Sequence, residues 1–95
     1  MTYKLKFVPS AYKEWNKLGA PIKSQFQKKL RERLKSPHVV ADKLKGYKSV
    51  YKIKLRTAGY RLAYEVIDDE IMVYVLVIGK RDKDAVYKKL AKRID

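Results

Sequence analysis

The residues best suited to chemistry form a basic run in the middle of the chain. Positions 43–56 read KLKGYKSVYKIKLR and contain six cations and no acid, namely Lys43, Lys45, Lys48, Lys52, Lys54 and Arg56. If residues 51–56 pair as a strand with residues 60–66, with 54 opposite 63 and 56 opposite 61, strand alternation places Lys52, Lys54, Arg56 and Arg61 on one face. Like charges that face each other destabilise a sheet, so this pattern favours a bound polyanion. The simpler alternative is a solvated basic face.

Composition narrows the range of partners for this run. Among 95 residues, 24 Lys and Arg outnumber 10 Asp and Glu, which gives a net charge of +14 at pH 7. This charge favours nucleic acid as partner, an acidic protein second and a membrane surface third. The absence of Cys excludes disulfides and Cys nucleophiles and favours a reducing cytoplasm. With no apolar run long enough to span a bilayer, we expect one cytoplasmic domain, residues 1–95, and no membrane association.

Other groups capable of chemistry are few. The single histidine, His38, follows Pro37 and is predicted to be a surface residue. The acidic residues Asp68, Asp69 and Glu70 are predicted to solvate a turn rather than to bind a metal. The chain has no pair of His residues and no Glu–His arrangement for conventional acid–base catalysis, and we expect neither a metal nor a cofactor. The residues alone therefore predict a basic domain that binds RNA or DNA.

Hydrophobic periodicity predicts the elements that must position these residues. Alternation of period two indicates strands, and apolar residues three and four apart indicate helices. The predicted order is a strand, two helices, three strands and a short helix, over residues 2–8, 11–18, 21–35, 51–56, 60–66, 71–78 and 83–94. The unbroken apolar strand 71–78 is predicted to be central. The result is an α+β fold: a four-stranded antiparallel sheet of order 1-4-3-2 with the N-terminal helical hairpin packed on one face.

Three segments resemble a known family. The run YKIKLRTAGYRLAYEVID, the segment VIGKRDKDAVY and the KEWNKL of the first helix resemble the RelE toxins of bacterial toxin–antitoxin modules. The likeness covers nearly the whole chain in the same element order. It implies a RelE-like fold and a ribosome-dependent endoribonuclease that cuts messenger RNA in the ribosomal A site. Matching motif positions imply a catalytic set of Lys52, Lys54, Arg61, Arg81 and Tyr87.

The resemblance also suggests roles for this set. Attack by a 2′-OH on the adjacent phosphate develops negative charge, which Arg61 and Lys54 would stabilise. Tyr87 or Lys52 would accept the 2′-OH proton, and Arg81 or Lys54 would assist the leaving 5′-oxygen. The assignment of general base and general acid is left open at this point.

Further basic residues are predicted to contact RNA or the ribosome. They lie in the basic run and on the second helix, and are Lys43, Lys45, Lys48, Arg56, Lys23 and Lys28. Some RelE relatives have Arg where this chain has Lys45, and a lysine does not form the planar fork that arginine offers to phosphate.

The resemblance implies an inhibitor as well as a substrate. An acidic antitoxin of the RelB type is expected to wrap the domain, lay an amphipathic helix on it and displace the C-terminal helix 83–94. The toxin is expected to be monomeric alone and hetero-oligomeric with the antitoxin. Two alternatives are a toxin of the same fold that inhibits gyrase, as ParE toxins do, and a non-catalytic nucleic-acid-binding domain.

A shared phosphate site imposes a condition on strand register. Arg61 and Arg81 must project from the same side of the sheet to reach one phosphate. A two-residue turn at 69–70 would place Arg81 on the opposite side. We therefore predict an odd-length turn at 68–70, or a β-bulge before Arg81 with the same effect.

Overall fold

A computed structural model describes residues 2–82 and 85–94. The elements follow the predicted order and are β1 (Lys4–Phe7), α1 (Pro9–Asn16), α2 (Ala20–Lys35), β2 (Val50–Leu55), β3 (Tyr60–Ile67), β4 (Met72–Lys80) and α3 (Ala85–Ile94). Prolines in the first turns of α1 and α2 suit positions whose backbone N–H has no partner within the helix. The α+β class predicted from the sequence is confirmed. In the part of the chain described, no helix is long and apolar enough to cross a membrane.

The strand order β1-β4-β3-β2 is confirmed, but the sheet is mixed rather than antiparallel. β1 runs parallel to β4, whereas β2–β3 and β3–β4 are antiparallel. The reason lies in the return path of the chain, because the Tyr3 amide donates to the Leu34 carbonyl at 2.8 Å. The end of α2 therefore lies beside the start of β1. β2 sets out in the direction of β1, and two reversals leave β4 parallel to it.

Apolar residues cover both faces of the sheet. One face packs on the helical hairpin, through a cluster that includes Ala11, Phe26, Leu30, Ile53, Leu62, Tyr64, Val73 and Val75. The other face packs on α3, through Val50, Ala63, Leu76, Val77, Val86 and Leu90. This two-sided cover explains the unbroken apolar sequence of β4. It also leaves the rest of the second face open beside α3.

The β3–β4 pairing shows how Arg61 and Arg81 come to project from the same side of the sheet. Ile67 pairs with Met72, so the loop between them has an even number of residues and the predicted odd-length turn is wrong. The predicted alternative, a β-bulge before Arg81, is present, because the pairing shifts from Tyr64–Val75 to Ala63–Val77. Leu76 is thus the extra residue of a β-bulge, and the side chains of β4 change face beyond it.

Candidate active site

The β2–β3 hairpin supplies a wall of three cations, Lys52, Lys54 and Arg61, which we call the strand wall. Lys54 lies directly opposite Arg61, and Lys52 lies opposite Ala63. The predicted pairs, 54 with 63 and 56 with 61, are therefore wrong by two positions, because the loop spans residues 56–59. A shift of two residues preserves the face of every side chain. The three cations consequently project from the predicted face, the one that α3 partly covers.

Arg56 departs from the prediction. It lies in the hairpin loop, outside β2, and is exposed to solvent. It lines a separate cavity that also includes Lys29, Asp42 and Lys54. Arg56 thus adjoins the strand wall rather than extending it.

The facing side of the site, here called the C-terminal wall, comes from the end of β4 and from α3. It consists of Lys80, Arg81, Val86 and Tyr87. The bulge at Leu76 pairs Gly79 with Arg61, so Arg81 two residues later projects toward the Arg61 side. The Arg81 amide also donates to the Gly59 carbonyl at 2.8 Å, which ties this wall to the hairpin loop. Tyr87 is half-buried on α3.

The two walls enclose a cleft of about 250 Å³. Its lining includes all five residues implied as catalytic, together with Lys80 and Val86. Sequence reasoning missed Lys80, although its position next to Arg81 in the GKR run was a usable signal. The structure thus brings these five side chains together; their catalytic roles stay a prediction.

The cleft is strongly electropositive. None of the ion pairs among residues 2–82 and 85–94 involves Lys52, Lys54, Arg61 or Arg81. The charge and hydrogen bonding of Lys52, followed by desolvation and the charges of Arg61 and Arg56, hold the pKa of Lys54 below its ordinary value. Such a lysine transfers a proton more readily near neutral pH than an isolated one. The cleft can therefore bind a phosphate, stabilise added negative charge on it and supply a proton.

Arg33 supports the strand wall from the opposite face of the sheet. It is one of several cations on α2, and its guanidinium donates to the Lys52 carbonyl at 3.2 Å and to the Tyr64 hydroxyl at 2.9 Å. An ion pair with Asp42 at 2.6 Å completes its surroundings. Its partners lie far along the chain, so no local pattern reveals this role.

The other predicted RNA-contacting residues lie outside the cleft. Lys43, Lys45 and Lys48 are exposed in the segment that precedes β2. Lys28 is exposed on α2, whose helical hairpin packs on the face opposite the cleft. Lys23 is only half-exposed, and its Nζ lies 5.9 Å from the centre of the Trp15 ring. Lys23 therefore packs on an aromatic ring as well as contributing charge.

His38 and Asp68 form hydrogen bonds that hold the fold together, away from the cleft. The two His38 ring nitrogens lie 2.9 Å from the Tyr51 hydroxyl and 2.9 Å from Asp68. The Tyr3 hydroxyl donates to the same Asp68 oxygen at 2.7 Å. These contacts join the loop after α2 to the two edges of the sheet, at β2 and near the start of β1. The acidic turn therefore has a structural role beyond solvation.

This fold, with its basic cleft between a hairpin and a C-terminal helix, matches a known class of toxin. Residues 5–85 match the family described as the ParE toxin of type II toxin–antitoxin systems. The chain is also 50% identical over 94 residues to the mRNA interferase toxin RelE of Escherichia coli K12, with 99% of each chain covered. The chain therefore belongs to the RelE/ParE family of type II toxins.

Solved structures agree with this assignment. A free-state Escherichia coli RelE with two arginines replaced by alanine has a TM-score of 0.91 and 48% identity, over 100% of both chains. The toxin in the intact Escherichia coli RelBE toxin–antitoxin complex has a TM-score of 0.82 and 49% identity, over 85% of this chain and 99% of that one. The family resemblance predicted from the sequence is confirmed.

Proposed function

We propose that this chain is a toxin that cleaves messenger RNA on the ribosome, in the A site. The observation that carries the proposal is the single cleft in which Lys52, Lys54, Arg61, Arg81 and Tyr87 meet. Cations from two strands face a tyrosine from a helix, an arrangement suited to a phosphodiester. The full-length similarity to a protein named mRNA interferase supports the same activity.

The proposed reaction is transfer of the phosphate to the neighbouring ribose hydroxyl. The 2′-oxygen attacks phosphorus, the bond to the 5′-oxygen breaks, and the products are a 2′,3′-cyclic phosphate and a 5′-hydroxyl. Tyr87 or Lys52 accepts the proton of the 2′-OH. Arg61 stabilises the charge that develops on phosphorus, because fixed cations act most strongly where charge grows in the transition state.

The lowered pKa of Lys54 bears on the proton donor. A guanidinium such as Arg81 releases a proton with difficulty, whereas Lys54 lies beside Lys52 and has its pKa lowered by it. We assign protonation of the 5′-oxygen to Lys54 and charge stabilisation there to Arg81. The remaining alignment of the 2′-oxygen for in-line attack would come from the ribosome, which holds the message in place.

The proposal extends to an inhibitor and a compartment. A net charge of +14 and the solved complex of a similar toxin with its RelB antitoxin support an acidic RelB-type partner for this chain. We infer that the whole chain acts as one domain in the cytoplasm, where ribosomes and messages are present. Alone it is a monomer, and with the antitoxin it forms a hetero-oligomer.

Cleavage mapping on programmed ribosomes tests the proposal. Purified toxin is added to ribosomes stalled with a defined A-site codon, and the RNA ends are mapped in parallel with free message. We expect cuts within the A-site codon, 5′-hydroxyl ends, and much weaker cleavage of free message. Intact message together with inhibition of gyrase supercoiling would contradict the proposal and support a ParE-like activity. Intact message with RNA binding alone would support a non-catalytic domain.

A further inference from the structure

An ion pair outside the cleft joins the first and last helices. Glu14 of α1 and Arg93 of α3 form a two-point contact, with Nη1–Oε1 and Nη2–Oε2 distances of 2.9 and 3.0 Å. Lys89 lies 3.6 Å from the same carboxylate. The side chains of Glu14 and Arg93 are only 18% and 22% exposed. A paired, largely desolvated contact of this kind holds its geometry better than a surface ion pair.

The same pair binds the backbone of β4 at the bulge. The Ile78 amide donates to Glu14 Oε1 at 3.0 Å, and Arg93 donates to the Leu76 carbonyl at 2.7 Å. Pairing between β1 and β4 ends at Phe7 and Val75, so this stretch of β4 extends beyond its neighbouring strand. Glu14 and Arg93 therefore supply the hydrogen bonds that a longer β1 would have made.

The charge state of Glu14 fits this role. Burial on its own would raise the pKa of Glu14, but hydrogen bonds from Arg93 and the Ile78 amide, with the charges of Arg93 and Lys89, outweigh it and hold the pKa below its ordinary value. The carboxylate is thus ionised at neutral pH and accepts all of these bonds at once.

The contact acts on both parts of the C-terminal wall, the end of β4 and α3. The bulge at Leu76 determines that Arg81 projects toward Arg61. The helix that carries Arg93 also carries Tyr87, and its buried apolar anchors in the described residues are Val86 and Leu90. A shift of this helix or a loss of the bulge would move Tyr87 or Arg81 relative to the strand wall.

We propose that Glu14 and Arg93 are positioning residues that align the C-terminal wall with the strand wall. They do so by holding the bulge in β4 and the position of α3 on the sheet at the same time. The inference rests on the proposed function, since the alignment matters for cleavage of RNA. A displacement of about 1 Å at a reacting group lowers turnover by roughly 100-fold.

Four variants of the full chain separate positioning from general stability. Glu14→Ala removes every contact of the carboxylate, and Glu14→Gln keeps an oxygen for the Ile78 amide without the charge. Arg93→Lys keeps the charge but loses the two-point contact. Glu32→Ala is the matched control, since Glu32 is an exposed acid of α2. Steady-state cleavage at several concentrations of programmed ribosomes gives kcat and KM, and NMR hydrogen exchange reports the Ile78 amide.

We expect Glu14→Ala to lower kcat by about 100-fold with little change in KM for the ribosome, because docking uses other surfaces. The Ile78 amide should exchange faster in this variant. Glu14→Gln and Arg93→Lys should lie between it and the wild type, and Glu32→Ala should equal the wild type.

Unchanged kcat in folded Glu14→Ala, or a rise in KM at constant kcat, would overturn the inference. So would equal losses in Glu14→Ala and Glu32→Ala. If Glu14→Ala does not fold, the intermediate kcat and amide exchange of Arg93→Lys decide in the same way. A wild type that leaves messages intact would instead contradict the proposed function. In that case the exchange of the Ile78 amide still shows whether the pair holds the bulge.

Discussion

The two walls of the cleft are built in different ways. The strand wall lies on β2 and β3, whose cations project from residues paired along a continuous antiparallel ladder. The C-terminal wall begins where β4 ends and continues on a ten-residue helix. One wall is fixed by local pairing, while the other depends on contacts between residues far apart in the chain. The position of the C-terminal wall therefore depends on more distant contacts than the position of the strand wall.

Few buried side chains hold α3 on the sheet. Its fully buried apolar side chains in the described part are Val86 and Leu90. Each contributes about 1.5–3 kcal/mol by burial, which is a small total for ordering a helix. A helix held in this way opens at lower cost than the central strands. An antitoxin that competes with α3 for the surface of the sheet would therefore displace Tyr87 before it displaced Arg61.

The strand wall is broken most directly by Arg61→Ala. We expect kcat to fall by roughly 10²- to 10³-fold, because the variant lacks a fixed charge that acts in the transition state. Ribosome binding should be largely retained, as the fold and the other basic surfaces are unchanged. Steady-state cleavage of programmed ribosomes and a ribosome co-sedimentation assay measure the two effects. A loss of binding equal to the loss of turnover would contradict a catalytic role for Arg61.

The C-terminal wall is broken by Tyr87→Phe, which removes the hydroxyl and keeps the half-buried ring. We expect kcat to fall by about 100-fold, the scale of a lost general base, with the melting temperature unchanged. Growth arrest on expression should disappear. Tyr74→Phe, a half-buried tyrosine of β4, is the matched control and should remain toxic. Retained turnover in Tyr87→Phe would shift the role of base to Lys52.

A packing change sharpens the comparison without touching a reacting group. A Cβ added at Gly79 would lie 3.0 Å from Val86 Cγ2, so Gly79→Ala pushes on the first turn of α3. Overpacking of this kind costs about 1–3 kcal/mol, and we expect kcat to drop several-fold with faster amide exchange in α3. In Gly19→Ala the added Cβ has 3.9 Å to Pro21, and the variant should behave as wild type. Equal behaviour of the two variants would show that α3 tolerates displacement.

Sequence alone predicted the strand wall better than the C-terminal wall, for a physical reason. The faces of Lys52, Lys54 and Arg61 depend only on the parity of a hairpin loop, and two- and four-residue loops give the same faces. The need for either an odd-length turn or a bulge before Arg81 followed from the requirement for a shared phosphate, but nothing local chose between them or located the bulge at Leu76. Residues 83 and 84, where the helix predicted over 83–94 begins, lie outside the described residues.

Long-range features escaped the sequence for a related reason. The parallel pairing of β1 follows from where α2 ends in space, which periodicity does not encode. Glu14 follows Lys13 and precedes Lys17 by three positions, a charge pattern typical of a solvated surface, and its partner Arg93 lies 79 positions away. No spacing rule connects two such residues. The support of the C-terminal wall was therefore invisible until the fold was known.

Acid should weaken the Glu14 contact selectively. Because the pKa of Glu14 is lower in the folded chain than its ordinary value of 4.5, the ionised carboxylate stabilises the fold above that pH. The contribution declines as pH falls through the folded pKa. We expect the difference in free energy of unfolding between wild type and Glu14→Gln to be largest near neutral pH and to shrink in acid. Urea titrations at several pH values measure it. Asp68, whose pKa is also lowered, first by His38 and then by Tyr3, cancels from this difference.

The smallest effect is expected far from both walls, at Lys28 on α2. Its side chain is exposed, so Lys28→Ala removes one charge and no packing. If Lys28 contacts a phosphate of ribosomal RNA, the slope of log affinity against log salt should fall by about 0.7–0.9, with turnover of bound message unchanged. Lys23→Ala should add a small loss of stability, since Lys23 lies over Trp15. Ribosome binding at several salt concentrations measures the slope. An unchanged slope would restrict docking to the cleft side of the sheet, and a fall in turnover would mean that docking through α2 also aligns the two walls.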